Sequence, residues 1–111
     1  MNIIRFSLPA LVCFFLLGGS QPARAQFLQR TYFKFDTDSR ALVQIGNAAW
    51  QRYINGLPER TYIELGRTPD FVEIYTENPG PTWVRIYADR VLWRAQDGMG
   101  WRAAGTGFWV R

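Results

Sequence analysis

The chain is 111 residues long with 13 basic and 9 acidic residues, a formal net charge of +4, one cysteine and no histidine. The missing histidine excludes Ser-His-Asp and Cys-His catalysis within one chain, and one cysteine without histidine excludes a zinc site of the usual ligands. No cofactor is expected.

Residues 1–25 read as a cleavable secretory signal. Arg5 precedes the apolar run Leu8 to Leu17, Gly18-Gly19-Ser20 breaks it, and Ala23-Arg24-Ala25 supplies the small-x-small pattern of a signal peptidase site. The apolar run is well short of the roughly 20 residues a bilayer span needs. Cleavage before Gln26 removes Arg5, Arg24 and the only cysteine, leaving eleven basic residues against nine acidic ones. The mature net charge of +2 is interspersed rather than one-sided, so nucleic acid is not an expected partner. The expected location is secreted or periplasmic. Residues 26–111 form one small domain that no disulfide can staple, and its five tryptophans and five tyrosines supply the core area such a domain needs.

The expected fold is all-β, an antiparallel meander curled into a small barrel or a sandwich-like roll. Thr31 to Phe35 reads as a strand and Asp36-Thr37-Asp38-Ser39 as a solvated turn. In Arg40 to Ile54, helical spacing competes with two strands, Ala41 to Ile45 and Ala49 to Ile54; Gly46-Asn47 in the middle favours the strands. Period-two alternation then predicts strands at Glu59 to Leu65, Phe71 to Thr76, Thr82 to Ala88, Val91 to Gln96, Trp101 to Ala103 and Gly107 to Val110. Asn55-Gly56 and Asp97-Gly98 are hairpin dipeptides, because a type I′ turn needs positive φ and these residues accept it at low cost.

Centring one hairpin on Thr68-Pro69 and the next on Pro79 separates two faces. Ile63, Leu65, Val72, Ile74, Val84 and Ile86 form the expected core face. Tyr62, Glu64, Phe71, Glu73, Tyr75, Trp83, Arg85 and Tyr87 form the other, and a one-residue slip would exchange the sets. The candidate ligand-binding surface is therefore Tyr62, Glu64, Glu73, Tyr75, Trp83, Arg85 and Tyr87. Rings would stack on a glycan, peptide or envelope component while charges bond its polar groups; the same aromatic rows also serve simply to stabilise a sheet.

Two alternatives accompany this non-enzymatic binding module. An exposed C-terminal strand, Gly107 to Arg111, would allow self-assembly by strand addition. Glu64 set beside Glu73 would give paired carboxyls about 5 Å apart, the spacing of a retaining glycosidase, although Arg85 would neutralise Glu73.

Trp50, Ile63-Glu64, the block Arg67 to Tyr75, Val84 to Asp89, Trp101 and Gly107-Phe108-Trp109 together resemble a pattern in small secreted bacterial proteins of planctomycete type. The likeness spans roughly residues 50–110 and departs from the pattern at Glu77 to Pro81. That group has no established activity. The resemblance implies export and a small β domain, and carries no catalytic residues.

Overall fold

A computed structural model describes residues 30–111; the expected signal segment lies outside the described residues. Eight strands follow one another: β1 (Tyr32–Phe35), β2 (Arg40–Gln44), β3 (Ala49–Ile54), β4 (Leu57–Arg67), β5 (Val72–Thr76), β6 (Thr82–Ile86), β7 (Arg90–Ala95) and β8 (Arg102–Trp109). Each pairs antiparallel with the next, and β8 pairs with β1 to close a barrel. The all-β meander expected from alternation is the observed fold.

Local chemistry accounts for most of the joints. Asn55 (φ 55°) and Gly56 (φ 76°) are both left-handed, as a type I′ turn between β3 and β4 requires. Residues 40–54 form the two strands that Gly46-Asn47 separates, with Gln44 opposite Trp50. Asp97-Gly98 does not make the expected I′ turn: of the two only Gly98 has positive φ. A longer loop forms instead, in which the Asp97 carboxylate accepts from the Met99 amide at 3.1 Å and from the Arg102 guanidinium. The two short strands expected at the C-terminal end are one, β8, whose pairing with β7 shifts register between Val91 and Leu92.

Alternation fills the lumen. Phe33, Leu42, Trp50, Val72, Ile74, Ile86 and Val91 are fully buried. Phe33 meets Phe35 and Trp109 edge-on at centroid distances of 5.5 and 5.3 Å, and Trp109 meets Trp50 at 6.3 Å. These T-shaped contacts each add about 0.5 to 1.5 kcal/mol beyond area burial.

Closure corrects one expectation. Gly107 to Arg111 does not present a free edge, because Phe33 pairs with Trp109, Phe35 with Gly107, and the Val110 amide donates to the Tyr32 carbonyl at 2.8 Å. A closed barrel removes the edges that strand addition needs.

Candidate functional site

The outer face of β5 to β7 carries part of the expected surface. Glu73 lies opposite Arg85 and Tyr75 opposite Trp83, the cross-strand pairs that hairpin centring gives. Arg85 Nε donates to Glu73 Oε1 at 2.8 Å. Its guanidinium lies 4.5 Å from the Phe71 ring centroid and 4.4 Å from that of Trp101. Arg94, opposite Trp83 in β7, caps Trp83 at 4.5 Å and Trp101 at 5.2 Å, while Arg90 caps Tyr87 at 4.5 Å. Phe71–Tyr87 and Tyr75–Trp83 ring contacts at 5.3 and 5.1 Å complete a ladder of alternating rings and cations. Each cation–π contact contributes about 0.5 to 1 kcal/mol at such partly exposed sites. The protein's own guanidiniums therefore occupy ring faces on which a ligand would stack. Arg90, Arg94 and Trp101 were missed in the sequence, although registering β6 on β7 would have placed Arg94 beside Trp83.

Tyr62 and Glu64 are not on this face. Ile63 pairs with Tyr75 and Glu64 with Ile74, then Gly66 pairs with Glu73, so a bulge at Leu65 shifts β4 by one residue. That slip exchanges the faces of β4 alone: Tyr62 is buried, whereas Ile63 and Leu65 are 56% and 50% exposed. Glu64 and Glu73 consequently point to opposite sides of the sheet, and each carboxylate accepts from its own arginine. The premise of a paired-carboxyl acid and base is overturned.

Glu64 instead anchors one end of the lumen. Its Oε1 accepts from Trp50 Nε1 at 2.9 Å and from Arg67 Nη2 at 2.8 Å, and its Oε2 accepts from Arg67 Nε at 2.9 Å. Both partners of this ion pair are about 15% exposed. The Arg67 hydrogen bonds, opposed by burial and helped by Trp50, hold the Glu64 carboxyl below its ordinary range. Arg30 ties the same end to the β4–β5 turn, donating to the carbonyls of Thr68 at 2.6 Å and Pro69 at 3.3 Å.

The opposite end is open. A cavity of about 350 Å³ enters the barrel there. Its inner wall is Phe35, Leu42, Val84, Val91 and Trp93, and its polar side is Arg40, Arg52, Arg60 and Tyr62. Strand alternation puts these arginines inward: Arg52 pairs with Leu42 across β2–β3 and with Arg60 across β3–β4. Arg40 lies 4.2 Å over the Phe35 ring, donates to Asp38 Oδ2 at 2.9 Å and to the Ala104 carbonyl at 2.9 Å. Arg52 Nε donates to Glu59 Oε1 at 2.6 Å, and Arg60 Nη2 lies 3.4 Å from Glu59 Oε2. The bond from Arg52, opposed by burial, holds Glu59 below the usual carboxylate range. Burial raises the Tyr62 phenol above its ordinary pKa despite the nearby cations, so at neutral pH it remains a hydroxyl donor. Of these, only Tyr62 was singled out by the sequence reading, and for the wrong face.

No family model, curated protein or solved structure matches the chain.

Proposed function

We propose that the chain is an exported, non-enzymatic binding barrel that receives a small molecule in the open end of its lumen. One observation carries this reading: the cavity of about 350 Å³ brings an apolar wall and a convergent set of polar donors to the mouth of a β-barrel. Ligand sites have that composition, and barrel mouths are among the places where they occur. The opposite end is occupied by the Trp50–Glu64–Arg67 network.

The outer ladder supports a second reading, a platform for a glycan, peptide or envelope component. The partly exposed Tyr75–Trp83 pair at its end favours this. Guanidiniums cover rings at both sites, Arg85 and Arg94 on the ladder and Arg40 and Arg102 over Phe35 and Trp93 at the mouth, so the ladder ranks second because the mouth adds an enclosed volume of about 350 Å³.

Amide chemical shifts during titration with eight-carbon amphiphiles separate the two sites. Perturbations are expected at Phe35, Tyr62 and Trp93. Shifts confined to Tyr75, Trp83 and Trp101 would transfer the function to the outer face, and no saturable shift with any member of the set would end the mouth reading.

Export has its own test. Intact-mass measurement of protein recovered from the periplasm or medium of an expressing bacterium should give a chain beginning at Gln26. Recovery only of the uncleaved cytoplasmic chain would remove the exported part of the proposal.

A further inference from the structure

Taking the mouth as the binding site, we propose that its ligand is an amphipathic monocarboxylate, its head held by Arg52 and Arg60 and its apolar body against Trp93 and the aliphatic wall.

The charge balance of the mouth carries this assignment. Arg52 and Arg60 are directly opposite in the β3–β4 register, an arrangement of like charges that a sheet ordinarily avoids. Glu59 alone bridges them, at 2.6 Å from Arg52 and 3.4 Å from Arg60. Arg40 has a separate carboxylate in Asp38. Three guanidiniums thus face two carboxylates, leaving one positive charge in excess at the cavity.

The excess charge is poised for use. The side chains of Arg52 and Arg60 are 23% and 25% exposed, so their heads are partly withdrawn from water, where charge-assisted hydrogen bonds gain strength. A guanidinium presents five donors in a planar fork, and Glu59 leaves most of the ten unused. Glu59 also demonstrates that a planar carboxylate fits between the two heads. The Tyr62 hydroxyl adds a donor beside them.

A single negative charge matches the excess, and a cationic head would meet three guanidiniums. Below the heads the wall is hydrocarbon and aromatic, which selects an apolar body over a sugar. The volume lies at the small end of ligand sites, which selects a short chain or a single ring over a long acyl chain.

Calorimetric titration of the purified protein with octanoate, 1-octanol and octylammonium tests the assignment. Octanoate should bind about tenfold or more tightly than octanol, the effect of one charge-assisted contact, and octylammonium should not saturate. Arg52→Gln and Arg60→Gln should each lose that preference, octanoate falling to the level of octanol in the same variant, while a cooperative thermal melt reports an intact barrel. Glu59→Gln should act in the opposite direction and tighten octanoate several-fold, because it neutralises the internal competitor for the two heads. Equal binding of octanoate and octanol, or weaker octanoate binding in Glu59→Gln, overturns the monocarboxylate while leaving the mouth as a site. Failure of every probe overturns the mouth itself.

Discussion

Gly107→Ala is expected to destabilise the barrel by about 3 kcal/mol or more, at or beyond the upper end of ordinary overpacking costs. A Cβ built on Gly107 would lie 2.2 Å from the Lys34 carbonyl oxygen and 2.6 and 2.9 Å from two carbons of the Phe33 ring. The first neighbour is backbone and cannot swing aside. Relief requires β1 and β8 to separate at the pairs Phe35–Gly107 and Phe33–Trp109, the seam that closes the barrel. A total stability of about 5 to 15 kcal/mol is typical of such a domain, so the loss is a large fraction of it. Urea denaturation measures this directly. Gly66→Ala is the control: nothing lies within 4 Å of its added Cβ, and the expected change is within about 0.5 kcal/mol. A Gly107→Ala midpoint as close to wild type as that of Gly66→Ala would show that the seam is not close-packed.

Trp50→Ala is expected to cost about 4 kcal/mol, the usual range for emptying a fully buried aromatic site. The substitution also strips the Nε1–H from Glu64. Trp50→Phe separates the two effects, keeping much of the ring and losing the donor, for about 2 kcal/mol at pH 7. Its pH dependence identifies the charged acceptor. The folded carboxyl of Glu64 is depressed, so its contribution is present above the unfolded value near 4.5 and is lost as pH falls through the lower folded value. Trp50→Phe removes one of the bonds that depress it. The difference between wild type and Trp50→Phe should therefore be largest at pH 7 and shrink on acidification below about pH 4.5. A difference constant from pH 7 to pH 3 would show that the indole is not bonded to an ionised carboxylate.

The alternation of β5 and β6 was readable because neither strand is interrupted. Val72, Ile74, Val84 and Ile86 are buried where expected, and the pairs Glu73–Arg85 and Tyr75–Trp83 form as hairpin centring requires. In β4 the reading failed for a geometrical reason. An extra residue at Leu65 shifts the pairing with β5, and a second irregularity between Arg52 and Tyr53 shifts the pairing with β3. Gly66 and Pro58 flank the two shifts and are residue types that accompany bulges in strands, but neither states which way the pairing slips or which neighbour is left unpaired. The first shift carried Tyr62 and Glu64 inside. The second hid the mouth: an unbroken register from the Asn55-Gly56 turn would set Arg52 beside Glu59, a routine ion pair, whereas the observed register sets Arg52 beside Arg60. The seam was equally hidden, because pairing between β1 and β8 joins residues more than seventy positions apart and leaves no local pattern.

Because β1 and β8 lie side by side, the two ends of the described chain are neighbours: the Val110 amide bonds the Tyr32 carbonyl at 2.8 Å. The order of strands around the barrel is thus cyclic, so each strand has two neighbours whichever joint is left without a covalent connection. A permuted gene that joins Arg111 to Arg30 through a short flexible linker and opens the chain between Asn55 and Gly56 would encode the same ring of neighbours. In that permutant the seam would become an ordinary connected hairpin, while the β3–β4 joint beside the mouth would become the new place of closure.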